Sequence, residues 1–198
     1  MPINTKATLR TAVADYLQRG DLNVHIDTFI ELATARFSDE LRTPEMETVA
    51  TTTLTGEWTA LPTDFRAMRL LEAGGQILEY RTAWQLQRMI QNAARPHVPV
   101  FSIQDMQFRV YPFPTNSTVE LTYYAALPAL SLDASSNWLL LKRPDVYLHA
   151  AIAQARIFLH DDQRVVLAQG MTDKYIAEAN RSARHIAIGA APLQVRAA

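Results

Sequence analysis

Any chemistry in this chain has to come from five histidines and a few paired carboxylates. The histidines are His25, His97, His149, His160 and His185. His149 and His160 are near enough in sequence to share one helix face, and Asp161-Asp162 follows directly. At ~1.5 Å rise per residue the two imidazoles would stand roughly 16 Å apart, too far to hold one metal ion. Asp161-Asp162 and Asp39-Glu40 are adjacent acids of the kind that can divide acid and base roles. Each falls at an expected helix boundary, where capping accounts for it. The chain has no HExxH, calcium-type loop, P-loop, GxGxxG or GxSxG elbow. Gly74-Gly75 lacks the Lys-Ser/Thr of a phosphate cradle and reads as a hairpin bend. The absence of cysteine excludes disulfides and thiolate metal sites. The residues therefore name no catalytic, cofactor-binding or metal-ligating group. A small hydrolase built on His149, His160 and Asp161 is the enzymatic alternative, motivated only by their proximity.

Two other groupings could bind rather than react. Arg66, Arg69, Arg81 and Arg88 with Trp84 resemble the mixture of cations and stacking rings used by single-strand binders. Glu72 and Glu79 interrupt it, and a solvated sheet face is the simpler reading. Trp138 and the Tyr123-Tyr124 pair are ordinary core or rim aromatics in a monomer and interface anchors in an oligomer.

The elements that would position these residues are legible from periodicity. A helix is expected from Lys6 to Arg19, capped by Thr5 and ended by Gly20. A second runs from Ile26 to Arg42, with Ile26, Phe29, Ile30, Ala33, Phe37 and Leu41 on its apolar stripe, stopped by Thr43-Pro44. From Thr48 the period shortens. VATTTLTGEWTAL suits two strands turning at Gly56, RAMRLLEAGGQILEY a hairpin at Gly74-Gly75, and VFSIQDMQFRVYPFP another at Gln104-Asp105. TAWQLQRMIQNAA reads as a short helix capped by Thr82. STVELTYYAAL is a strand with Val119, Leu121 and Tyr123 on one face. A nearly all-apolar helix starts at Pro144, and a last helix runs from Asp161-Asp162 to about His185.

The fold class expected is α+β: a helical bundle from both ends (1–47 and 138–185), an inserted antiparallel β-rich domain (48–137), and an extended tail (186–198). In that arrangement Trp138 locks the chain's return to the bundle. With 198 residues, 48% hydrophobic and 20% charged, the chain can bury a core without staples. The net charge of -1 gives no global attraction to nucleic acid. No apolar run approaches the ~20 residues of a membrane span, and MPINTKATLR lacks a signal-peptide core. A soluble protein made in the cytoplasm is expected. IAIGAAPLQVRAA would expose Ile186, Ile188, Leu193 and Val195 as a free tail, so a partner should cover them.

Four blocks, in order, resemble the head-to-tail connector adaptor proteins of tailed bacteriophages. They are IDTFIELATARFSDELRTPEME (Ile26 to Glu47), LPTDFRAMRLL (Leu61 to Leu71), ILEYRTAWQL, and LTYYAALPALSLDASSNWLLLKRPDVYLHAAI (Leu121 to Ile152). The segment from Arg95 to Val100 departs from the family's simpler proline turn. The resemblance implies a helical bundle with an inserted β domain and no catalytic residue. It implies a homo-oligomeric ring, usually dodecameric, bound under the portal protein, extending the DNA channel and docking a tail or nozzle protein. Genomic DNA would pass without sequence-specific binding, and the protein would sit in the virion neck after synthesis in the host cytoplasm. The C-terminal segment would embrace the portal through Ile186, Ile188, Leu193, Val195 and Arg196. Another ring-forming neck component, such as a tail terminator or completion protein, is the alternative within this class.

Overall fold

In the computed structural model, residues 2–113 and 117–189 are described. In chain order the elements are α1 (Lys6–Leu17), a 3-10 turn (Gly20–Leu22), α2 (Ile26–Glu40), a second 3-10 turn (Pro44–Met46), β1 (Glu47–Thr53), β2 (Thr59–Ala60), β3 (Phe65–Ala73), β4 (Gln76–Ile77) and β5 (Glu79–Tyr80). Then come α3 (Ala83–Gln91), β6 (Val100–Gln104), β7 (Gln107–Tyr111), β8 (Thr118–Ala125), α4 (Trp138–Lys142), α5 (Pro144–Phe158) and α6 (Asp162–Gly189). This is an α+β fold.

The chain separates into two compact units: Met1–Glu45 with Leu127–Ala198, and Met46–Ala126. The segment from Leu127 to Asn137 therefore groups with the helices, not with the β-rich insert where sequence reading put it. Its hydrogen bonds give the reason. Ser135 and Asp133 carbonyls accept the Lys6 and Ala7 amides, both at 3.0 Å. They satisfy amides that every helix N-terminus leaves open.

In the helical unit, the Thr5 hydroxyl accepts from the Thr8 amide while the Thr8 hydroxyl accepts from the Thr5 amide, a reciprocal cap. The helix ends at Leu17 through Gln18 in the left-handed region (φ 50°). Gly20, the expected terminator, instead opens the 3-10 turn. α2 stops at Glu40 because Leu41 turns extended (ψ 141°). α5 begins on Pro144, whose missing N–H costs nothing there. It buries Tyr147 and the run Ala150 to Ala153 against its neighbours. α5 ends with His160 in the left-handed region; the His160 amide bonds the Ile157 carbonyl and the Asp161 amide the Arg156 carbonyl. That pair of bonds is a Schellman cap. α6 continues to Gly189, so residues 186–189 are helical and not part of an extended tail.

The β unit holds two four-stranded sheets, β1-β8-β3-β4 and β2-β7-β6-β5. The expected hairpin at Gly56 does not form: β1 pairs with β8 and β2 with β7, in different sheets. Short threonine-rich strands carry too little local signal to choose a partner, and the long β8 takes β1 over all seven residues. The other two hairpins form. Gly74 and Gly75 both have positive φ, as their two-residue turn requires. Between β6 and β7 the same backbone is forced on Asp105 and Met106. β5 and β6 run parallel, departing from an all-antiparallel insert, because α3 crosses between them. The alternation of β8 places Val119, Leu121 and Tyr123 in a core with Leu54, Leu71 and Phe108.

Candidate functional site

The groups with possible chemistry are held apart or occupied structurally. His160 lies beyond the end of α5, at its left-handed cap, while His149 is half-buried within the helix. The Asp161 carboxylate takes a hydrogen bond from Arg156 at 3.0 Å. Among the described residues no cluster of three histidines or acids could hold a metal ion. The other acid pair is also engaged: Arg36 binds Glu40 at 2.9 Å.

The arginine grouping around Trp84 breaks up in the same way. Arg69 pairs with Glu47 at 3.0 Å and Arg81 with Glu79 at 2.6 Å. Arg66 turns to the Phe65 carbonyl at 3.5 Å, and Arg88 lies 5.5 Å over the Trp84 ring, which is 67% exposed on α3. Beside it a shallow groove of about 360 Å³ includes Arg81, Met89 and Asn92. Such an exposed cation–ring pair is worth about 0.5–1 kcal/mol and offers a flat contact surface.

The chain's return to the helices is held by Asn137, not by Trp138. Trp138 is half-exposed, with the Lys142 ammonium 5.9 Å from its ring. Asn137 is buried and uses both ends of its amide. Its Oδ1 accepts the Leu140 amide at 3.0 Å and caps α4. Its Nδ2 donates to the Pro128 carbonyl at 3.0 Å and to the Tyr147 hydroxyl at 2.8 Å. Thr34 gives its proton to the Ile30 carbonyl at 2.8 Å, so Tyr147 must donate to Thr34 across their 3.2 Å contact. One donor chain thus runs from Asn137 through Tyr147 and Thr34 to α2, with every proton used. Burial raises the Tyr147 pKa above the ordinary tyrosine value, keeping that proton in place. Ser38, the next turn of α2, accepts the Leu127 amide at 3.0 Å. Sequence reading missed this network because Asn137 sits beside a tryptophan in a polar loop. The signal available was Asn three residues before a leucine at a helix start.

A groove of about 550 Å³ runs between α4 and α6, with Glu45, Lys142, Arg143 and Tyr175 on its walls. Arg143 lies 4.4 Å over the Tyr175 ring and grips Asp145 at 2.9 and 2.7 Å. The Arg143 hydrogen bonds hold the Asp145 carboxyl below its ordinary pKa, and Lys142 does the same to Glu45. Burial pushes Tyr175 up. Paired charges on an aromatic floor make a surface suited to contact.

Of the five tail residues expected to bind a partner, Ile186 and Ile188 fall in the last turn of α6, with side chains outside the described residues. Leu193, Val195 and Arg196 lie wholly outside the described residues. No helix among the described residues is long and apolar enough to cross a membrane.

The family model described as SU10 adaptor protein matches residues 4–196. No curated protein matches the chain.

Proposed function

We infer, from the premise that this chain belongs to the SU10 adaptor protein family, that it joins phage head to phage tail as a ring below the portal. The family gives it the role of a structural adaptor in a bacteriophage. The finer reading is that copies close into a ring, dodecameric in number, which extends the DNA channel and presents a docking surface to a tail or nozzle protein. The observation that carries it is the family match over residues 4–196, which spans the helical and the β unit alike.

Physical chemistry supports the reading. A ring needs two different faces on each subunit, because head-to-tail contacts close by rotation. A net charge of -1 suits a channel that passes DNA without the phosphate contacts that would brake it. The portal contact is assigned to the chain's end, through Ile186, Ile188, Leu193, Val195 and Arg196. In this reading the protein is not an enzyme, is made in the host cytoplasm and acts in the virion neck.

The test is co-purification with the phage's own portal protein. Full-length chain should remain on the portal through gel filtration, and a chain truncated after His185, which lacks all five residues, should release while keeping its thermal transition. Binding that is unaffected by the truncation removes the tail assignment. No binding of the full chain under any ionic condition removes the portal assignment. A gene lying soon after those for portal and major capsid protein favours this reading over a tail terminator or completion protein.

A further inference from the structure

The groove of about 550 Å³ between α4 and α6 belongs entirely to the helical unit. Pro44 and Trp138 line it together with Tyr175, Ala179, Ser182 and Ala183. The last four recur at helical spacing and share one face of α6, about 12 Å long from Tyr175 to Ala183. Trp138, Tyr175, Ala179 and Ala183 are only half-buried. The charges bordering the groove already have partners within the chain. Lys142 reaches Glu45 at 2.5 Å, Arg143 grips Asp145 at 2.7 Å, and Lys174 stands 4.0 Å from Glu178. What the groove offers is therefore apolar surface, and an uncharged apolar segment fits it better than a charged one.

The helix that forms one wall also delivers such a segment. α6 ends at Gly189, and Ala190 to Ala198 follow, outside the described residues. AAPLQV carries no charge, and its Leu193 and Val195 side chains gain by leaving water. Gly189 and Pro192 are turn-forming residues on either side of Ala190-Ala191. From Gly189 back to Ala179 is about 15 Å along α6. The six residues from Leu193 to Ala198 span up to about 20 Å when extended. A chain that reverses between Gly189 and Pro192 therefore reaches Ala183 and Ala179 with Leu193 and Val195. Joined to its own groove by so short a connection, the segment meets it at an effective concentration of about millimolar, so a weak contact suffices.

We propose that in the free subunit Ala190 to Ala198 turn back into this groove, with Leu193 and Val195 against its apolar walls. The groove and the tail each present apolar surface to water, and the return covers both. A consequence for assembly rests on the portal reading above. The portal and the subunit's own groove compete for the same residues, so the tail leaves the groove only for the stronger contact. The fraction of subunits with the tail withdrawn then sets the apparent affinity for the portal.

The chain has no cysteine, so an introduced pair reports a single contact. Full-length S182C/Q194C sets one thiol in the groove and the other between Leu193 and Val195. The control R184C/Q194C sets the first thiol nearer the tail in sequence but about 200° round α6. Ser182 and Arg184 are both exposed, so both variants should keep the wild-type thermal transition. A tail with no preferred place would close the two pairs at rates within about a factor of two. The proposal expects S182C/Q194C to close roughly tenfold faster under the same oxidant, giving a cross-linked monomer by mass. Adding Ala183→Glu puts a charge on the apolar wall and should bring that rate down to the control's. On the portal, full-length A183E alone should reach half-binding at a several-fold lower concentration than wild type. Equal closure rates, disulfide-linked dimers in place of closed monomers, or a rate that A183E leaves unchanged would overturn the return of the tail to its own groove, while the portal reading stands. Portal binding unchanged in A183E would overturn the competition. Fast closure in a chain that never binds portal would support the return and remove the portal reading instead.

Discussion

Replacing Asn137 by alanine removes one cap and two donated hydrogen bonds at once. Loss of an asparagine N-cap costs about 1 kcal/mol. The Tyr147 oxygen, buried between α2 and α5, loses its donor, and the Pro128 carbonyl loses another. Each such orphaned acceptor costs on the order of 1 kcal/mol, less where water can reach it. Pro128 is exposed, so its share is the smaller. The total expected for Asn137→Ala is about 2.5 kcal/mol in the unfolding of the helical unit. For a chain of this length that lowers the melting temperature by about 5–10 °C. Tyr147→Phe removes only the hydroxyl, and Thr34 keeps its bond to Ile30, so about 1 kcal/mol is expected. Because the two side chains share a bond, the double variant should be less destabilised than the two singles combined, by about 1 kcal/mol. Urea unfolding followed by far-ultraviolet circular dichroism, dominated by the helices, gives all three values. A cost for Asn137→Ala under about 0.5 kcal/mol, or additivity within about 0.3 kcal/mol, would refute the network as the lock on the returning chain.

Three further outcomes follow from single sites. Asp27→Asn should destabilise at pH 7 because Lys6, with its side chain 6% exposed, loses the carboxylate 3.5 Å away and Arg10 loses its two 2.8 Å bonds; about 2 kcal/mol is expected in urea unfolding. Arg10, chiefly by hydrogen bonding, holds the Asp27 carboxyl below its usual pKa. Its stabilisation is therefore full above about pH 4 and lost as pH falls through the lower folded value, so wild type and variant should converge near pH 2; a constant difference down to that pH counts against the pairing. His160→Gly should stabilise the helical unit by about 1 kcal/mol, since glycine occupies the left-handed cap without strain; a destabilised protein would show that the imidazole does more than fill a turn. Met106→Gly should stabilise the β6–β7 hairpin by a similar ~1 kcal/mol, read by thermal unfolding, and no gain would mean that the turn's backbone is not strained.

Elements whose signals are local could be read from the chain alone. Thr5 and Thr82 cap their helices, Pro144 starts α5, Gly74-Gly75 makes its turn, and β8 alternates as its residues require. What escaped depends on partners far away in sequence. Nothing around Gly56 says that β1 belongs to β8 and β2 to β7. The parallel β5–β6 pair needed the position of α3, and the segment after Leu127 needed the amides of α1. Gln18 in place of Gly20 as terminator shows the limit of residue preference, since the 3-10 turn claims the glycine. The contact surfaces were the least legible part. The groove walled by Glu45, Lys142, Arg143 and Tyr175 joins residues far apart in the chain, so no local pattern marks it.

Reconstruction of the neck in intact virions tests the central claim most directly. The account predicts density for this chain as a closed ring on the tail side of the portal. A virion neck without this chain, or with it present as isolated copies that form no ring, would contradict the account.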